Sequence, residues 1–353
     1  MEASANNSFE NIHETDARLD DEPKVDGGIE HYILQIKETA DKLLRDHANR
    51  GDVKLLSTAL RELRYCFKIF NMFRQRRKVT VFGSARLPLS DPSCVQAIEF
   101  GKRLGEAGWM VITGAANGIM EAGHVGAGAE NSIGVNILLP FEQHANPIIK
   151  DDSTKLMHLK YFFTRKLLFV KESDAVVLFP GGFGTLDEGF EVLTLVQTGK
   201  SHLFPIVFVD TPGGGYWDHV VRFFHDVLLE RKLISPHDMS LFRIVNSAAD
   251  AAAEILNFYR VYHSMRYVHG DLVLRLLKPL SEATLEHIRV EFKDILKSGT
   301  FEQTGALSEE SDDRQVAQLK RLVFKFDRHS LGRLRELIDV INQEGLNTAQ
   351  TPV

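Results

Sequence analysis

Long apolar runs are missing from this sequence, and so is any excess of basic charge. No stretch of its 353 residues approaches the length of a membrane span, and the acidic N-terminus lacks the basic and apolar regions of a signal peptide. A formal net charge of −6 gives no general electrostatic drive towards nucleic acid or an anionic membrane, so any anion site must be local. Only two cysteines occur, Cys66 and Cys94, in neither metal-ligand nor CxxC spacing. So few in a chain this long fit a reducing compartment, and the cytoplasm is the expected location. The 14 histidines include no H-E-x-x-H spacing, and no carboxylate cluster suggests a metal site. His124, His144 and His158 read as ordinary loop or core histidines, and no metal or other cofactor is expected.

Several catalytic signatures are absent as well. A dinucleotide site needs G-x-G-x-x-G after the first strand and an acid about twenty residues later. Here the first turn is Gly83-Ser84-Ala85-Arg86, and Arg103 stands where the acid would be. No turn matches G-x-x-x-x-G-K-[ST], and no G-x-S-x-G elbow offers an acyl-transfer serine.

What is present is an ordinary globular composition, 44% hydrophobic and 25% charged, at a length that suggests roughly two domains. Residues 1–27 are polar and acidic and read as a disordered tail. Residues 28–77 carry helical periodicity: Ile33, Ile36, Ala40, Leu43 and Leu44 share a face, Gly51 breaks the run, and Leu55, Leu56, Leu60, Leu63 and Phe67 resume it. The basic cluster from Arg74 to Lys78 fits a helix C-terminus better than a phosphate patch. From residue 78 to 263 apolar strands alternate with helices, which predicts a doubly wound, Rossmann-like α/β domain with a parallel sheet covered on both faces. Its last helix is predicted from Ser247 to Tyr262. Residues 268–345 read as a small α+β module: a strand at Leu272–Leu277, a helix at Glu282–Leu296, a half-buried strand through Leu322, Phe324 and Phe326, and a final helix at Leu331–Ile341. The acidic run Glu309 to Asp313 reads as an exposed linker.

The most informative stretch runs from Asp174 to Glu188. Ala175 to Phe179 is a buried strand, Pro180 stops it, Gly181, Gly182 and Gly184 follow, and Thr185 opens a helical pattern. Glycines let the backbone approach a ligand, and the helix N-terminus favours an anion such as phosphate. Two other glycine turns, at Gly83 and at Gly114 to Gly118, fall at the same carboxyl ends of strands, where ligands bind in such sheets. Tyr216-Trp217-Asp218 fits either a pocket wall or the core. Arg165 and Lys166 open the helix before the glycine strand, beside the same sheet edge. A carboxylate at Glu188 is awkward next to a bound phosphate unless it faces another part of the ligand. If that part is a ribose, it can stabilise an oxocarbenium-like transition state or orient water, as carboxylates do in glycoside hydrolysis. The residues therefore point to a nucleotide N-glycosidase.

Pro180-Gly181-Gly182-Phe183-Gly184-Thr185-Leu186-Asp187-Glu188 resembles the PGGxGTxxE signature of the LONELY GUY (LOG) family. Members of that family release the base from cytokinin riboside 5′-monophosphates and, in many bacterial cases, from AMP. Arg165-Lys166 resembles the family's RK pair, Gly114 to Ala122 its GGGxxGIMEA turn, and Pro140-Phe141-Glu142 its acidic loop. The resemblance implies Arg165 and Glu188 as the catalytic pair. It further implies phosphate and ribose binding by Gly182, Phe183, Gly184, Thr185 and Thr194, with Gly114 and Gly181 in the same turns. Glu142 and Lys166 would complete the pocket, with Ser84 and Met120 near the base. The implied partner is a small-molecule nucleotide, with neither nucleic acid nor membrane, and the implied assembly a homodimer or a multiple of one. Two other readings share this kind of fold: a nucleotide or molybdenum-cofactor carrier or sensor without hydrolase activity, and a DNA-handling protein of the DprA type. The joint presence of Arg165 and Glu188 speaks against the carrier, and the acidic charge against the DNA binder.

Overall fold

The computed structural model describes residues 28–138, 145–310 and 316–347. By contacts the chain divides into two units, Met1–Arg61 and Glu62–Val353. In the first, α1 (Ile29–Arg45) precedes the opening turns of α2 (Arg50–Asn71). The break falls earlier than Gly51, which lies inside α2. His47 takes a left-handed φ of 53°, and the Asn49 side chain accepts from Asp52 N at 3.0 Å, the hydrogen bond of an N-cap. None of the α1 residues is buried.

The second unit is built on a seven-stranded parallel sheet in the order β4-β3-β2-β1-β5-β6-β7. The strands are β1 (Lys78–Phe82), β2 (Met110–Thr113), β3 (Ser132–Ile137), β4 (Leu156–Leu159), β5 (Ala175–Leu178), β6 (Ile206–Val209) and β7 (Phe242–Val245). Because strand side chains alternate, each strand feeds two cores. Val79, Val81, Val111 and Val177 pack with α3 (Pro92–Glu106), α4 (Ile119–Ala127) and α8 (Ala248–Phe258) through Phe100, Leu104, Ala122 and Ile255. On the other face Phe82, Ile112, Val135, Val176 and Leu178 pack with α5 (Phe162–Lys171) and α6 (Phe183–Gln197). α7 (Tyr216–Phe223) follows β6. The doubly wound architecture expected from the strand and helix alternation is thus the observed one.

Chain order runs outward from β1 in one direction through β2, β3 and β4, and from β5 in the other through β6 and β7. The loops leaving β1 and β5 therefore diverge, and they leave a crevice at their carboxyl ends. The basic cluster before β1 is structural. Arg76 donates to Gly108 O and to Asn131, Arg77 pairs with Asp174 at 3.1 Å, and Lys78 Nζ donates to Arg76 O.

Two elements of the C-terminal region depart from expectation. α8 ends at Phe258, and Tyr262–Val268 is a strand, β8. The helix α9 (Glu282–Glu291) is shorter than expected, and Leu296–Thr304 is another strand, β10. With β9 (Asp271–Leu276) and β11 (Lys320–Phe326) these form an antiparallel sheet in the order β10-β11-β9-β8. The outer strands are hidden in the sequence because an edge strand need not alternate in hydrophobicity. In β10 only Phe301 is buried.

The acidic run after β10 is not uniformly exposed. Glu310 has no exposed side-chain surface, accepting from Arg275 Nε at 2.8 Å and from Arg321 Nε at 2.7 Å. The helix α10 (Leu331–Asn347) closes the region against the parallel-sheet side. Arg335 pairs with Glu254, and Asn342 accepts from Val261 N and Tyr262 N. Among the described residues no helix is long and apolar enough to cross a membrane, and no group of three or more His, Cys, Asp or Glu residues could hold a metal ion.

Candidate active site

The three glycine turns are tied together by backbone hydrogen bonds. After β1, Ser84 N donates to Pro180 O at 3.1 Å, and Ile119 N donates to Ser84 O at 3.0 Å. The turn before α4 needs glycine at Gly118. Its φ is 66°, and a Cβ there would lie 2.3 Å from Ser84 O. Nearby Ala115 holds φ at 59°, a left-handed conformation that costs an alanine about 1 kcal/mol. Its amide donates to Thr113 Oγ1 at 2.9 Å and its carbonyl accepts from Asn146 N at 2.8 Å, which together hold the turn in place. His124 lies under this turn and is fully buried, bonded to Thr113, Asn146 and Ile133 O. Burial pulls its pKa down to about 4, so it is a neutral core residue.

The third turn leads into α6, whose N-cap, Gly182, offers no side-chain cap to the first amides. Tyr216 supports this turn from behind, its hydroxyl donating to Gly181 O at 2.7 Å. Trp217 is core, with Nε1 donating to Val209 O.

Arg165 and Lys166 stand on α5. The start of that helix is capped from a distance: Glu62 accepts from Lys160 N at 2.7 Å and from Thr164 Oγ1 at 2.8 Å. Arg165 Nε donates to Val135 O at 3.0 Å, and its guanidinium lies 5.0 Å from the Phe169 ring centroid. Gly114 makes room for it, since a Cβ there would sit 2.0 Å from Arg165 Nη2.

Between the turns after β1 and β5 opens a cleft of about 770 Å³. Ser84, Met120, Arg165, Glu188 and the run from Gly181 to Thr185 all line it. Burial raises the Glu188 pKa from 4.5 to about 7, against the opposing pull of Lys166 and Arg165. Burial also lowers the Arg165 pKa, and Glu188 opposes that shift. The site therefore holds a carboxyl group poised to exchange a proton near neutrality beside a guanidinium and a bare helix N-terminus. A raised carboxyl pKa stabilises the fold only while the group is protonated, so that contribution is complete below 4.5 and lost as the pH rises through about 7. Chemical denaturation across this window is expected to show Glu188→Gln gaining stability relative to wild type as the pH rises. A difference that is flat with pH would contradict the shift.

Other expected site residues lie elsewhere. Lys166 Nζ pairs with Asp187 at 2.8 Å and with Glu191 at 2.6 Å, fastening α5 to α6 beside the cleft. Although burial pulls its ammonium down, these carboxylates hold its pKa above the usual lysine value. Thr194 lies well along α6, beyond the glycines, and its hydroxyl donates to Phe190 O. Glu142 and His144 fall outside the described residues, and His158 is exposed. The lining also includes Arg86 and Phe162, neither of which the motifs assign to the site. The only sequence signal for Arg86 is its place in the turn that follows β1.

The parallel sheet with a glycine-lined cleft at its switch point defines the class: a Rossmann-like α/β protein with a crevice at the carboxyl ends of its strands. Within that class, residues 113–255 match the family model described as "Possible lysine decarboxylase". Curated relatives include a probable cytokinin riboside 5′-monophosphate phosphoribohydrolase, LOGL5, of Oryza sativa subsp. japonica, 28% identical over 216 residues. That alignment takes in 60% of this chain and 82% of the relative. The cytokinin riboside 5′-monophosphate phosphoribohydrolase of Mycobacterium tuberculosis is 29% identical over 158 residues, 44% of this chain and 81% of that one. Over these residues the chain is similar to LOG-family phosphoribohydrolases. Among solved structures, the molybdenum cofactor carrier protein of Chlamydomonas reinhardtii aligns over 51% of this chain and 98% of its own at 19% identity. Its TM-score of 0.36 gives that likeness no functional weight.

Proposed function

We propose that the cleft hydrolyses the N-glycosidic bond of a nucleoside 5′-monophosphate, AMP or an N6-substituted AMP, to free base and ribose 5-phosphate. The observation that carries this reading is the meeting of Arg165 and Glu188 in one cleft with the glycine turn of α6. The names of the relatives, phosphoribohydrolases acting on cytokinin riboside 5′-monophosphates, support the same reaction class.

In this account the amides of the first α6 turn receive the phosphate, which the positive end of the helix dipole favours. As the bond from C1′ to the base lengthens, its electron pair leaves with the base and positive charge builds on the ribose. The Glu188 carboxylate stabilises that charge and accepts a proton from the attacking water, whose oxygen bonds to C1′. The proton then passes to the departing base. A pKa of about 7 suits such a carboxylate, since it can both take and return a proton near neutral pH. Arg165 holds oxygens of the substrate through its guanidinium, which stays charged despite burial. The working assembly is proposed to be a homodimer.

Incubation with AMP and with isopentenyladenosine 5′-monophosphate tests the reading. Free base is expected from at least one of them, with an equal amount of ribose 5-phosphate. No base from either at high enzyme concentration would reject it.

A further inference from the structure

The charges lining the cleft do not by themselves favour a phosphate dianion. Four charged residues line it, Arg86 and Arg165 against Asp187 and Glu188, so two cations face two carboxylates. Lys166 does not alter the balance, because counting its ammonium brings in its second partner Glu191 as well and leaves three cations against three carboxylates. Arg165 is anchored to Val135 O and lies in the field of Glu188. Arg86 is different. It is exposed, and among the described residues its guanidinium has no ion pair or hydrogen bond. Its backbone is fixed: Arg86 N donates to Ser84 Oγ at 3.1 Å, in the turn whose Ser84 N donates to Pro180 O. An unanchored cation is thus carried on a braced turn that lines the same cleft as the α6 N-terminus. Without it one cation would face two carboxylates, and a dianion would enter against net negative charge.

We propose that Arg86 grips the 5′-phosphate of the ligand and makes the cleft selective for phosphorylated over unphosphorylated nucleosides. A guanidinium suits this role because its fork of N–H donors matches two phosphate oxygens at once. The inference rests on the nucleotide reading of the cleft but concerns binding, so it is tested separately from bond cleavage.

The experiment titrates the full chain, as wild type, Arg86→Gln and Arg86→Lys, with AMP and with adenosine by calorimetry, and measures base release in parallel. Arg86→Gln is expected to weaken AMP binding roughly tenfold to a hundredfold, the loss typical of a charged hydrogen bond. Adenosine binding should not change, KM for AMP should rise with little change in kcat, and Arg86→Lys should recover part of the loss. Arg86→Gln binding AMP as tightly as wild type overturns the proposal, as does an equal loss for adenosine or a wild type with no preference for AMP. If no base is released, yet wild type prefers AMP and Arg86→Gln abolishes that preference, the hydrolase reading fails and the role of Arg86 stands. If wild type releases base and Arg86→Gln binds AMP unchanged, the hydrolase reading stands and the role of Arg86 fails.

Discussion

Glu188→Gln is expected to lower kcat for AMP by roughly 10²–10⁴-fold while leaving AMP binding almost unchanged. Glutamine keeps the size of the side chain and a carbonyl acceptor but can neither carry the negative charge nor take a proton. In the proposed reaction those two properties matter only as the C1′ bond breaks, so the loss should fall on kcat and on kcat/KM alike. Binding should hold, because removing a carboxylate beside a phosphate site lessens repulsion. The pH profile gives a second readout. With the carboxyl pKa raised to about 7 by burial, wild-type kcat/KM should climb as the pH passes through that region, and Glu188→Gln should lack this limb. Steady-state kinetics of both proteins, with calorimetry of AMP binding, check the prediction. Equal losses in binding and turnover would make Glu188 a positioning residue instead.

The largest stability effect is expected far from the cleft. Glu310→Ala should destabilise the protein by about 3–5 kcal/mol, because it leaves buried arginines without their shared carboxylate. Arg321 has no exposed side-chain surface and Arg275 very little, and both donate to Glu310. Arg321 also donates to Leu319 O and Val316 O, but carbonyls do not neutralise its charge. Burial works against the Glu310 carboxylate, yet the hydrogen bonds from Arg321 and Arg275 outweigh it and hold its pKa below the usual value. A lowered carboxyl pKa stabilises the fold above the normal glutamate pKa, and the benefit is lost as the pH falls through the folded value. The gap between wild type and Glu310→Ala should therefore be full at neutral pH and narrow in acid. Denaturant titrations at several pH values measure it. Glu309→Ala, one residue away on an exposed side chain, should show no comparable loss, and equal destabilisation by both variants would contradict the assignment.

The contrast between those neighbours also shows how far the sequence could be read. Glu309 and Glu310 are identical letters in one acidic run, and only the partners brought from β9 and β11 bury the second. The parallel sheet was legible because most of its strands are largely apolar and β1, β2 and β5 run within two residues into glycine or proline. β8 and β10 were not, since edge strands of an antiparallel sheet keep polar residues on the open side. At the cleft, the glycine turn and the pairing of Arg165 with Glu188 could be read from motif and strand order. The place of Lys166 could not, because its attachment to Asp187 and Glu191 depends on how α5 packs against α6. Nor could Arg86, which reaches the cleft only because β1 and β5 are neighbours at the switch point.

A single-turnover reaction of AMP tritiated at C1′, resolved into adenine, ribose 5-phosphate, adenosine and inorganic phosphate, tests the proposed bond cleavage most directly. The account predicts adenine and ribose 5-phosphate in equal amounts, formed more slowly from the tritiated substrate than the isotope-free one because C1′ gains cationic character. Adenosine with inorganic phosphate, or AMP returned unchanged, would contradict it.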